Sequence, residues 1–198
     1  MDEISKKIAH NRIKKPLYHY FGKLEPDSLK LLLDKFETSE ETLHNAMTLR
    51  EKQGLNDGYE NYLQDYHQYD VQFKNPDTDF NDERDYEMFL DFFKPALQDI
   101  VDKLNTTIFR ARYATIEKDD VLAWHVDQPH YDRFVIVLDG EHTFEIKNRK
   151  KIEPQVMKPG EIWFINQSWE HRVINTGDKK RIALLGCFVY NANKEDNK

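Results

Sequence analysis

A single cysteine, Cys187, leaves no internal disulfide to be made, and its neighbours Leu184, Leu185 and Phe188 point to a buried thiol. A reducing, cytoplasmic setting is the expectation. No apolar run approaches the roughly 18 residues that a spanning helix needs, so no membrane association is expected. Residues Met1 to Lys15 are polar and lack the apolar segment of a secretory signal. An excess of basic residues is missing as well: 29 Lys and Arg stand against 36 Asp and Glu, a net charge of -7. A phosphate-binding surface needs clustered cations, so nucleic acid is not expected as the main partner. The densest basic run, Lys147, Arg149, Lys150 and Lys151, falls where a hairpin turn is expected and reads as a solvated loop. There is no internal repeat, and no low-complexity segment apart from a polar tail at 191–198.

What is present is apolar and aromatic enough to fold, with 39% hydrophobic and 13% aromatic residues. A chain of 198 residues has room for one substantial core and is short for two, so residues 1–198 are expected to form a single domain. Its two halves differ. Residues 1–105 read as a helical, loop-rich support region. Pro26 and Asp27 open a helix with Leu29, Leu32, Leu33 and Phe36 at helical spacing. Thr38 followed by Glu41 resembles a capping box for a second helix towards Lys52. The tyrosine-rich, polar stretch from Gly54 to Asp85, with turn signals at 56–58 and 75–77, is expected to form ordered loops. A third helix is predicted from about Tyr86 to Leu104, kinked or broken at Pro95.

Residues 106–190 read as strands: short, β-branched and aromatic runs separated by turn signals. Asp139-Gly140 between two alternating runs is a hairpin cue. Seven or eight such strands suggest a barrel or double-sheet jelly roll. Helices first and strands after is an α+β order, mainly β, with the helical half covering one outer face.

Within the β half, Trp124-His125-Val126-Asp127 places an imidazole and a carboxylate two residues apart on a predicted strand. Side chains at i and i+2 share a face, so both can converge on one ion. His171 supplies a third ligand type 46 residues after His125. Two histidines and one carboxylate leave coordination positions open, the ligand set of non-haem Fe(II) oxygenases. Arg181 follows His171 by 10 residues, across a predicted turn at Thr176-Gly177-Asp178. A guanidinium on a buried strand requires an anionic partner; its bland alternative is surface neutralisation of Glu170 or Asp178. Arg133 reads equally as a surface-facing strand residue or a substrate clamp. Trp124, Trp163 and Trp169 are pocket or core aromatics, His130 sits in a loop near the site, and His142 follows a turn.

The segment from Arg112 to Phe188 resembles the Fe(II)- and 2-oxoglutarate-dependent oxygenases, and most of all the aspartyl/asparaginyl β-hydroxylase group, which includes hydroxylases of free proline. The resemblance rests on His125-x-Asp127, on Gly160-Glu161-x-Trp163 leading to His171, on Asn175-x-Gly177 and on Arg181-x-x-Leu184. It implies a double-stranded β-helix (a cupin-like jelly roll) with helical support. It further implies iron on His125, Asp127 and His171, and the distal carboxylate of 2-oxoglutarate on Arg181. Arg133 would contact a cosubstrate or substrate carboxylate, and His130 and Trp124 would lie near the substrate. Arg133 is followed by Phe134 and Val135, where some of the group carry Arg-x-His. The implied reaction is hydroxylation, with O₂ consumed, of a free amino acid or another small carboxylated substrate. The alternatives are a cupin-type metalloenzyme with no 2-oxo acid, which has no need of Arg181, and a non-catalytic jelly-roll binding module, which tolerates loss of His171.

Overall fold

Asp2 starts the first helix. Its Oδ1 accepts the Ser5 N–H at 2.7 Å, satisfying one of the donors that a helix N-terminus leaves unpaired. The helix α1 (Glu3–Lys14) is polar, which is why no apolar stripe announced it, and it docks by hydrogen bonds. Asn11 Nδ2 donates to Ser168 Oγ at 3.1 Å, Arg12 Nε to the Ser168 carbonyl at 2.7 Å, and Asn166 Nδ2 to the Asn11 carbonyl at 3.0 Å. The computed structural model describes residues 2–39, 45–54, 60–73, 84, 86, 88–89, 91–127 and 131–190. The expected turns at 56–58 and 75–77, the loop residue His130 and the polar tail 191–198 lie outside them.

Helix α2 (Pro26–Ser39) begins at the proline, whose missing N–H costs nothing in a first turn. Leu32 and Phe36 are its buried residues. Helix α3 (Lys94–Leu104) is shorter than its predicted span. Pro95 stands in its first turn rather than at a kink, a 3-10 turn (Asp91–Phe93) precedes it, and Asn105 ends it in the left-handed region at φ 51°. Upstream lies a two-residue strand, Met88–Phe89, paired with Gln72–Phe73; these are β5 and β4.

The first half departs further from its reading. Tyr18–Lys23 (β1), Asn45–Gly54 (β2) and Glu60–Asp70 (β3) are strands of the main sheet. The helix expected towards Lys52 is strand β2 in its described part, and the described part of the tyrosine-rich stretch is chiefly β3 rather than loop. Capping and turn signals are local, whereas the backbone of the next strand needs a hydrogen-bonding neighbour, and that long-range pairing decides the outcome. Among the described residues the support region is therefore part helix and part sheet.

The strands of the second half follow the expected order: β6 (Phe109–Ile116), β7 (Val121–His125), β8 (Asp132–Asp139), β9 (His142–Asn148), β10 (Lys151–Met157), β11 (Glu161–Ile165), β12 (His171–Ile174) and β13 (Arg181–Phe188). They form a jelly roll of two antiparallel sheets, β1-β11-β8-β13-β6-β3-β2 and β10-β9-β12-β7. The basic run turns the β9–β10 hairpin, Asn148 pairing with Lys151. Asp139-Gly140 does not close a hairpin; it carries the chain from β8 in the large sheet to β9 in the small one.

Period-two alternation sorts the large sheet's side chains into two cores. On β8, Phe134, Ile136 and Leu138 pack outward with Leu32, Phe36 and Ile100 of the helices. Val135 and Val137 face inward, against Phe144, Ile146 and Val173 of the small sheet. On β6, Ala111 and Tyr113 belong to the outer core, and Ala114 and Ile116 to the inner one. The same alternation aims Arg110 and Arg112 inward, into the space between the sheets.

Candidate metal centre

His171 of β12 lies directly across from His125 of β7 in the small sheet's register, and their rings are 4.2 Å apart between centroids. Asp127 follows on the same chain segment, its Oδ1 3.7 Å from His125 Nε2. One ligand atom from each of His125, Asp127 and His171 can be chosen so that all lie within 4.8 Å of one another. The donor chemistry suits a metal. His125 Nδ1 is 2.6 Å from the Ala123 carbonyl and His171 Nδ1 is 2.9 Å from the Trp169 carbonyl. A carbonyl only accepts, so each Nδ1 carries the proton and each Nε2 presents its lone pair. Burial and the neighbouring His125 push the His171 pKa down to about 4, so the ligand-competent neutral ring prevails near pH 7. Phe144 stacks on His171 with ring centroids 5.4 Å apart.

Helix α1 supports this arrangement from outside. It is bonded to Ser168 and Asn166, and Arg12 lies 4.9 Å over the Trp169 ring, on the segment whose carbonyl orients His171. Arg133 is buried, with Nε 3.9 Å from Asp127 Oδ2 and Nη1 on Cys187 Sγ. It holds a metal-ligand candidate and faces the cavity, so the surface-facing reading does not apply.

The triad lies on a cavity of about 410 Å³ between the sheets. At the far end is Arg181, only 1% exposed; surface neutralisation of Glu170 or Asp178 is excluded by that burial. Its Nε donates to His142 Nδ1 at 3.2 Å. Burial, and then the Arg181 charge, hold the His142 pKa well below its ordinary value. The position of His142 just after a turn allows a solvent-facing side chain, yet it is the fully buried acceptor that orients this guanidinium. Along β9, His142 precedes by four residues Ile146, the residue paired with His171, so about 13 Å of strand separates the two levels. Phe144, Val173, Leu122 and Leu185 line the space between. Trp124 borders the cavity, but its ring lies under Lys147 at 4.1 Å and Arg172 at 4.6 Å. Trp163 bonds Glu161 instead, at 3.1 Å.

Two arginines that the sequence reading passed over, Arg110 and Arg112, also line the cavity, as does Gln68 of β3. Their signal was legible: charges at i and i+2 on an otherwise buried strand share its inner face.

Residues 112–186 match the family model of the Cupin domain. The match spans the triad and Arg181, and the two-sheet jelly roll is the fold expected of a cupin. No curated protein shows significant similarity. Among solved structures, an oxidoreductase of the 2OG-Fe(II) oxygenase family from Burkholderia pseudomallei superposes with a TM-score of 0.55 at 13% identity, over 95% of this chain and 91% of that one. At that identity the likeness establishes the fold. An oxalate decarboxylase variant from Bacillus subtilis (13% identity, 64% of this chain and 26% of that one, TM-score 0.39) is a looser match. So is Drosophila melanogaster CENP-C bound to CAL1 (13%, 80% and 94%, TM-score 0.41).

Proposed function

We propose that this protein is an Fe(II)- and 2-oxoglutarate-dependent dioxygenase that hydroxylates an amino acid or another small carboxylated compound. The observation that carries the reading is the polarity of the cavity. A two-histidine, one-carboxylate triad stands at one end, a buried guanidinium at the other, and an apolar wall lies between. That pattern suits a 2-oxo acid able to chelate at one end, with two methylenes in the middle and a carboxylate at the far end. The resemblance to the aspartyl/asparaginyl β-hydroxylase group rests on the sequence motifs and belongs to the same proposal, as does a cytoplasmic setting.

In the overall reaction a substrate C–H, 2-oxoglutarate and O₂ become C–OH, succinate and CO₂. Iron held by His125, Asp127 and His171 supplies the O₂ chemistry. The chain supplies the rest. The Ala123 and Trp169 carbonyls fix both imidazole tautomers. Arg133 restrains Asp127. Arg181, turned by His142, takes the distal carboxylate through its planar fork. Leu122, Phe144 and Val173 keep water from the methylenes.

The test is anaerobic binding followed by turnover. His171→Ala is expected to lose stoichiometric Fe(II) binding while remaining folded. Arg181→Ala should keep iron but lose about 2–5 kcal/mol of 2-oxoglutarate binding, roughly 30- to several-thousand-fold. Arg181→Lys should recover only part of that, because an ammonium keeps the charge and loses the fork. Succinate formation from Fe(II), 2-oxoglutarate and a panel of amino acids reports the reaction class. Equal 2-oxoglutarate binding by wild type and Arg181→Ala would overturn the assignment, as would no binding by iron-loaded wild type.

A further inference from the structure

The Asp127 carboxylate is divided between two neighbours. Its Oδ1 lies 3.7 Å from His125 Nε2, on the metal side, and its Oδ2 lies 3.9 Å from Arg133 Nε. A guanidinium that closes on a carboxylate makes a fork of two bonds at about 2.7–2.9 Å. Arg133 stands back from that contact, and its other end is held: Nη1 donates to Cys187 Sγ. Arg133 and Cys187 face each other directly in the β8–β13 register, and the thiol is completely buried.

We infer that Cys187 is a positioning residue of the metal centre: its sulfur anchors the Arg133 guanidinium, which then engages one oxygen of Asp127 and leaves the other to the metal. The inference rests on the metal triad of the proposed function and is independent of the 2-oxo acid.

The backbone around the pair is closely determined. Leu185, Gly186 and Cys187 of β13 lie opposite Val135, Phe134 and Arg133 of β8. A Cβ on Gly186 would come within 2.3 Å of the Phe134 ring, so glycine at 186 lets the two strands interlock at this register. Against β6 the register of β13 shifts between Leu185 and Cys187, and irregularities of this kind re-aim side chains beside functional sites. Alternation puts Cys187 on the face of Leu185, and Arg133 on that of Val135; both apolar residues line the cavity. The chemistry of sulfur suits the task. A thiol is a weak, neutral acceptor, so it orients the guanidinium without competing for its charge as a carboxylate would. Without the sulfur, the guanidinium can turn its fork onto both oxygens of Asp127. That ion pair competes with a metal for Oδ1. Partners that orient metal ligands in this way typically set affinity by about 10- to 100-fold.

The experiment is anaerobic titration of the full chain with Fe(II) and with Co(II). Cys187→Ala should bind Fe(II) about 10- to 100-fold more weakly than wild type. Cys187→Ser, which restores an acceptor, should stay within about threefold of wild type. The visible bands of the Co(II)-loaded protein should change in Cys187→Ala and return in Cys187→Ser, a signature that loss of stability alone would not produce. Cys187→Val fills the space without an acceptor, and takes the place of the alanine variant if that one fails to fold. In an Arg133→Gln background the Cys187→Ala change should cost no further affinity, because the two residues act as one unit. An equal loss in both backgrounds would overturn the inference, since packing alone would then account for it. Unchanged Fe(II) affinity in Cys187→Ala would overturn it too. The Arg133 Nε–H resonance of metal-free protein, identified by its absence from Arg133→Gln, should shift in Cys187→Ala and return in Cys187→Ser. An unmoved resonance would also defeat the inference. If wild type binds neither ion, the metal reading falls, and this resonance alone decides whether Cys187 holds Arg133.

Discussion

Gly140 shows how one backbone position reaches the cavity. It holds φ at +76°, and a Cβ there would lie 3.2 Å from the Arg181 Cα and 3.3 Å from the Lys180 carbonyl oxygen. Both atoms are backbone, so neither yields as a side-chain tip would. Gly140→Ala is expected to destabilise the protein by about 1–3 kcal/mol and to weaken 2-oxoglutarate by displacing Arg181. Urea unfolding and anaerobic binding would read the two effects separately. His142 shows the consequence of burying an imidazole neutral. Its folded pKa is depressed, as is that of His171 at about 4, whereas in the unfolded chain both take up protons near pH 6.5. The unfolded state binds more protons below that pH, so stability falls with it. Metal-free protein should be most stable above pH 6.5 and lose stability progressively as pH drops through about 4. Denaturation midpoints between pH 4 and 8 in the presence of a chelator would check this, and a flat profile would contradict it.

At the scale of elements, one buried side chain holds the end of α1. Asn166 Nδ2 donates to the carbonyls of Asn11 and Lys15 at 3.0 and 3.3 Å, and its own N–H reaches the Leu17 carbonyl at 2.9 Å. Asn166→Ala takes this donor from the Lys15 carbonyl and leaves the Asn11 carbonyl with the Lys15 N–H alone, at a cost of about 1–3 kcal/mol. Hydrogen exchange should then show α1 opening more readily than α3, whose Ala96, Leu97, Ile100 and Leu104 are buried against the outer core. Because α1 braces the Ser168–Trp169 segment that orients His171, metal affinity should fall roughly 10-fold or more as well. Unchanged metal binding in a destabilised Asn166→Ala protein would confine α1 to a purely structural role.

For the whole molecule, the first half is not separable. β1, β2 and β3 are strands of the large sheet, and α2 and α3 cover its outer face. Residues 106–190 expressed alone are expected to aggregate or remain unfolded, since Phe134, Ile136 and Leu184 would be exposed and β6 would lose its β3 neighbour. Cooperative unfolding of that fragment would contradict this. The sequence by itself determined the strand-rich second half and the closeness of His125 to Asp127, because alternation and short spacing are local and survive without context. It also marked His171 and Arg181 through their spacing. Only the tertiary structure decided that Asn45–Gly54 and Glu60–Asp70 are strands, since a polar strand is stabilised by its neighbours and not by its own composition. Only the tertiary structure likewise placed Arg133 on Cys187 beside Asp127, Arg181 on His142 at the closed end, and Trp124 under two cations. Those placements follow from sheet register, a relation between residues far apart in the chain that no local pattern records.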